Sequence, residues 1–106
     1  MEMHVDGQSV FVHTGGREFD SEQPTLVLVH GGGNDHSAWG LQTRYFAHHG
    51  YNVLVPDLPG HGRSGGTTPT TVEGFATWLW RFVDAAGAET VHLAGHSMGS
   101  LIALAA

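Results

Sequence analysis

Residues 95–99 read Gly95-His96-Ser97-Met98-Gly99, between the apolar stretch Val91-His92-Leu93-Ala94 and the helix-favouring run Ser100-Leu101-Ile102-Ala103-Leu104-Ala105-Ala106. An extended run, a G-x-S-x-G pentapeptide and a helical run leave the chain few options: it must leave a strand, turn sharply at the serine and enter a helix. Such a turn holds a hydroxyl clear of the backbone, and Gly95 and Gly99 remove the side chains that would collide around it. The pentapeptide alone is ambiguous. With 16 glycines in 106 residues the spacing also arises in loops, and Ser97 could equally cap a helix.

A second feature narrows the choice. His30-Gly31-Gly32-Gly33 follows the apolar run Leu26-Val27-Leu28-Val29, a pattern that brings backbone N–H groups close to a bound molecule. Attack of a serine oxygen on a carbonyl creates an oxyanion that needs fixed donors in a site with little water, and removing one such donor costs about 3–4 kcal/mol of barrier. The amides of Gly32 and of Met98, the latter at the dipole-positive start of the helix after Ser97, are the candidate pair. Gly31, Gly33, Gly95, His96 and Gly99 would support them. Read by itself, the glycine run is also compatible with a flexible turn leaving a strand.

Three segments together make the chain resemble the α/β-hydrolase superfamily of esterases, lipases, aminopeptidases and C–C hydrolases. They are the His30–Gly33 loop with Asn34-Asp35-His36-Ser37-Ala38-Trp39 after it, Asp57-Leu58-Pro59-Gly60-His61-Gly62-Arg63-Ser64, and the pentapeptide at 95–99. They follow the family's order and spacing, and the resemblance extends over nearly all of the chain. It implies Ser97 as the catalytic nucleophile of a serine hydrolase, where related epoxide hydrolases and haloalkane dehalogenases carry aspartate. It also implies a small-molecule substrate, no cofactor, and a loop-shaping role for Asp57 and Arg63.

Pattern alone gives a compatible architecture. Met3, Val5, Val10 and Val12 around Asp6-Gly7 predict a β-hairpin. Leu26–Val29, Val53–Val55 and Val91–Ala94 are too short for helices and too apolar for a half-wet sheet, so they read as buried parallel strands. Trp39, Thr43, Phe46 and Ala47 fall at helical spacing within residues 37–49, before Gly50. A capping box, Thr70-Thr71-Val72-Glu73, opens a stronger helix whose apolar residues Val72, Phe75, Ala76, Leu79, Phe82, Val83 and Ala86 recur until Gly87. The expected fold is α/β: a hairpin followed by a parallel β-α-β-α-β-α unit in a three-layer sandwich, with residues 1–106 forming the N-terminal part of one domain whose C-terminal half is absent. Gly32 and Ser97 then meet beyond the carboxyl ends of the strands.

Composition excludes some functions. Four basic against ten acidic residues, a net charge of −6, argue against a nucleic-acid or anionic-membrane partner. No run approaches the ~20 apolar residues of a membrane span, and Met1–Asp6 lacks the pattern of a signal peptide, so a cytoplasmic location is expected. There is no cysteine and hence no disulfide or thiol chemistry. The nine histidines are poorly placed for a metal: His92 and His96, four apart on a strand, lie ~13 Å from each other. Gly60-His61-Gly62-Arg63-Ser64-Gly65 matches a dinucleotide fingerprint, but Gly66-Thr67-Thr68-Pro69 prolong the loop where a helix should begin.

The catalytic acid and histidine that the resemblance implies follow the serine in chain order, and they are not among these residues. His36 and His61 lie on loops that could face Ser97, whereas His96 should project elsewhere; spacing offers neither loop histidine an orienting carboxylate. The strand at 91–94 is expected as an apolar edge. A complementing C-terminal segment or self-association is the expected partner. Two functional classes stay open: a serine hydrolase completed by such a segment, or a non-catalytic remnant that binds a small ligand or a partner chain.

Overall fold

Apolar residues on both faces of an extended segment must be covered on both sides, and the chain does this with two short strands. In a computed structural model that describes all 106 residues, β3 (Thr25–Val29) and β4 (Asn52–Pro56) are buried along their whole length and pair in parallel. The side chains alternate. Val27, Val29 and Leu54 point to one face of the sheet, where Leu79, Phe82 and Val83 cover them; Leu26, Leu28, Val53 and Val55 point to the other, toward Ala47 and Phe46.

The remaining strands extend the sheet on both sides. β1 (Glu2–Val5) and β2 (Gln8–His13) form the hairpin, turning through Asp6 and Gly7, which both have positive φ (52° and 79°) as a type I′ turn requires. β2 pairs antiparallel with β4, and β5 (Val91–Gly95) pairs in parallel with β3, giving the order β1-β2-β4-β3-β5. α1 (Gly40–Ala47) lies on one face, while α2 (Val72–Ala86) and α3 (Met98–Ala105) lie on the other. This is the three-layer arrangement expected from pattern. β5 stands at the edge and is only half-buried, with His92 exposed. Beside it, α3 turns Leu101 and Leu104 to solvent.

Two local expectations need correction. The helix expected over 37–49 begins as a 3₁₀ turn, His36–Trp39, because the Asp35 carboxylate accepts hydrogen bonds from the N–H and hydroxyl of Ser37 and caps the chain there. The capping box at Thr70 does not form. Thr71 is the cap of α2 and its hydroxyl accepts from Gly74 N–H at 2.9 Å, which places Glu73 one position too early to reach back. At its other end α2 stops as expected, at Gly87 in the left-handed conformation. No helix is long and apolar enough to cross a membrane.

The two threonines should therefore separate in a denaturation experiment. Thr71→Ala is expected to lower unfolding free energy by about 1 kcal/mol, whereas Thr70→Ala should stay within about 0.5 kcal/mol of the parent. Urea midpoints of the two variants measure the difference, and equal losses would restore the box at Thr70.

Candidate active site

The turn after β5 is built around backbone that tolerates no side chain. A Cβ on Gly99 would run into the carbonyl groups of Val29 and His30, and one on Gly95 would run into the backbone of Gly99 and Ser100. Helix α3 thus enters directly against the end of β3. Between these glycines Ser97 takes φ 58° and ψ −123°, a conformation that costs a non-glycine residue about 1–3 kcal/mol and that persists only where the surroundings impose it. Its side chain caps nothing, so the helix-cap alternative for Ser97 is not what the structure contains. The residue is exposed. Ser100 Oγ donates to Gly95 O at 3.0 Å and His96 N–H donates to Val29 O, which tie the turn to its own strand and to the neighbouring one.

The glycine run after β3 lies against this turn. Gly31 packs so closely that an added Cβ would be 3.2 Å from Ser97 Cβ and 3.3 Å from His96 O; at Gly32 it would meet the Met98 sulfur at 3.3 Å. Gly33 is left-handed (φ 75°), and Asn34 N–H donates to Gly31 O to close the turn. The structure therefore brings together Gly31, Gly32, Ser97 and Met98, residues of two loops at the carboxyl ends of adjacent strands. The His96 ring lies edge-on to Trp39, 6.5 Å between centroids.

A cleft of about 280 Å³ opens beside Gly32 and Met98, walled by Pro69, Val72 and Phe75 and by His61. A larger, mostly apolar cleft of about 560 Å³ lies at the opposite end of the parallel strands, near Asn52 and the end of α2, and touches none of these residues. Ligands of open α/β sheets sit at the carboxyl ends, which favours the smaller cleft.

The two loop histidines take different positions. His61 shares the cleft; its Nδ1–H donates to Pro59 O, and no carboxylate orients it. His36 does have an orienting carboxylate, contrary to expectation: Nδ1 is 2.9 Å from Asp57 Oδ1. It packs against Phe11 and His13 of β2, however, three strands from β5 and hence roughly 14 Å across the sheet at ~4.8 Å per strand, so it is not a base for Ser97. The pair was invisible to spacing arguments because Asp57 and His36 are joined only by the β3–β4 register. The Asp57 carboxylate is fully buried and also accepts from Arg63 N–H; the Arg63 guanidinium lies 5.0 Å from the Phe11 ring centroid. Both residues hold the loop, as the resemblance implied. No three His, Cys, Asp or Glu side chains are grouped as a metal would require.

His30 is buried, donates from Nδ1 to Gly31 O at 2.7 Å and accepts at Nε2 from Leu58 N–H at 3.0 Å, which fixes its neutral tautomer. Burial, assisted by His61, pushes its pKa below the usual 6.5, and the hydrogen bond to Gly31 only partly opposes this. Burial likewise lowers His13, with His36 and the N-terminal ammonium acting in the same direction. Hydrogen bonds from Ser37 lower Asp35.

The sequence profile of the alpha/beta hydrolase fold matches residues 24–106. The chain belongs to that family. Among relatives, an (E)-2-((N-methylformamido)methylene)succinate hydrolase of Acinetobacter baylyi is 42% identical over 82 residues, 76% of this chain and 31% of that protein. The dihydrolipoyllysine-residue acetyltransferase component of the acetoin cleaving system of Cupriavidus necator is 40% identical over 83 residues, 74% of this chain and 21% of its own length. The crystal structure of a membrane phospholipase A, a bacterial virulence factor, superposes with a TM-score of 0.86 at 34% identity, covering 96% of this chain and 32% of that one. This chain thus spans a third or less of these relatives.

The two lowered histidines give a pH dependence of known sign. Where folding depresses a histidine pKa the unfolded chain binds more protons, so stability is complete above about pH 6.5 and falls as pH drops through the interval between the unfolded and folded values. Urea midpoints should decrease from pH 7.5 to 5, and His30→Gln, whose amide can still donate and accept, should flatten part of that slope. A midpoint constant across the range would contradict the assignment of neutral, buried His30.

Proposed function

We propose that the protein is a serine hydrolase in which Ser97 attacks an ester or related carbonyl, passes through an acyl-enzyme, and has its oxyanion held by the amides of Gly32 and Met98. The observation that carries this reading is the exposed, positive-φ Ser97 packed against Gly31, with its neighbours Gly32 and Met98 lining a cleft. Both donors are backbone groups, Met98 N–H at the start of α3 and Gly32 N–H on the loop after β3, and such donors lower a barrier most when their orientation is set before substrate arrives. Met98 adds the start of a helix dipole to the same point. The chemistry needs no cofactor, since the nucleophile is a hydroxyl and the rest is proton transfer.

A serine hydroxyl needs a base to take its proton and an acid to orient that base. Neither loop histidine meets both conditions, so the acid and histidine come, in this reading, from a complementing C-terminal segment, and these 106 residues alone are inactive. The exposed β5 edge and the Leu101–Leu104 face of α3 support that docking. The second reading, a non-catalytic remnant that binds a small ligand or a partner chain, rests on the cleft beside Gly32 and Met98 alone.

A fluorophosphonate probe distinguishes them. In the protein completed with its acid and histidine, labelling at Ser97 is expected to be rapid, Ser97→Ala to abolish labelling and turnover without changing the fold, and the 106-residue chain to label at least 100-fold more slowly. Absence of labelling in the completed protein would establish the remnant, and near-parental turnover by Ser97→Ala would remove Ser97 from the mechanism.

A further inference from the structure

The loop that carries Gly32 is three glycines long, and glycine runs do not hold a backbone amide in place by themselves. Its two ends are both fastened to the exit of β4, by consecutive residues. Before the glycines, His30 Nε2 accepts from Leu58 N–H at 3.0 Å. After them, Asp57 Oδ1 accepts from His36 N–H at 2.7 Å and from His36 Nδ1–H at 2.9 Å. The other carboxylate oxygen, Oδ2, accepts from Arg63 N–H at 2.9 Å, and Gly62 leaves room for it where any Cβ would collide. Ser64 completes the mounting: its hydroxyl donates to Asp57 O and accepts from Phe11 N–H, which anchors the β4 exit to β2. Asp57 is thus a buried charge whose acceptors are filled by groups on two loops, an arrangement that holds geometry firmly because releasing any donor leaves charge or polar groups unpaired.

We infer that Asp57 is a positioning residue which, paired with His36 and opposed by the His30–Leu58 hydrogen bond, clamps both ends of the Gly31–Gly33 loop and sets the direction of the Gly32 amide. This inference rests on the serine-hydrolase reading for its kinetic consequence. Asp57 touches no substrate. It acts through His36, and its loss lets the Gly32 N–H swing away from the position where negative charge develops. Because that donor is needed mainly in the transition state, the loss falls on kcat and spares KM.

The test uses the completed protein, with active sites counted by phosphonate titration of Ser97, and a p-nitrophenyl ester as substrate. Asp57→Asn keeps the side-chain size but removes the charge and one acceptor; it is expected to lower kcat per titrated site about 10- to 100-fold with KM changed less than about threefold. His36→Asn, whose amide nitrogen stands where Nδ1 stood, is expected to keep kcat within about threefold of the parent, while His36→Ala loses about tenfold. A merely structural Asp57 would instead reduce the number of titratable sites or the melting temperature at unchanged kcat per site, and that result overturns the inference. If the parent protein shows no turnover at all, the hydrolase reading fails first; the clamp is then read from the Gly32 amide resonance, which Asp57→Asn shifts and broadens if the clamp exists and leaves unchanged if it does not.

Discussion

The contact on which the rest depends is the one between Gly99 and the end of β3. Because no atom beyond Cα fits between Gly99 and the carbonyls of Val29 and His30, helix α3 begins directly against the strand that carries the glycine loop. The turn at Ser97 has no room to relax to a lower-energy backbone, and the loop at Gly31 lies directly against it. Close packing of backbone against backbone thus does two things at once. It stores local strain at the serine, and it fixes the separation between two loops distant in sequence.

The parallel sheet supplies the rigid frame for that contact. β3 is buried on both faces and paired on both edges, so the carbonyls that Gly99 meets lie at the end of a strand held on every side. β4, its neighbour, is followed directly by residues 57 and 58, whose hydrogen bonds return to the loop leaving β3. Buried polar groups are costly unless paired, and here Asp57 and His30 are paired with loop backbone and, for Asp57, the His36 ring, and not with each other. The family's fold thus places its polar network under the candidate site, where it holds loops that glycine leaves free.

Much of this was legible in the sequence, for identifiable reasons. Continuous apolar runs distinguish β3 and β4 from half-exposed strands, Asp6-Gly7 marks a hairpin, and the spacing from Phe75 to Ala86 admits only a helix. The pentapeptide and the glycine run announced a strand-turn-helix and a loop meeting it, since only backbone crowding demands glycine at such positions. Other features were not legible. The choice of Thr71 over Thr70 as cap depends on where the loop from Gly65 delivers the chain, not on local composition. The Asp57–His36 pair needs the β3–β4 register, which no spacing in one sequence reveals.

In the proposed hydrolase the amides of Gly32 and Met98 point to the same site beside Ser97, and this convergence can be measured directly. A protein labelled with ¹⁵N and phosphonylated at Ser97 places a charged oxygen where the oxyanion would form, and the amide proton resonances report which donors it meets. The amides of Gly32 and Met98 are both expected to move strongly downfield, with those of Gly33 and Gly99 shifting much less. Resonances of Gly32 and Met98 unmoved by phosphonylation would contradict that convergence.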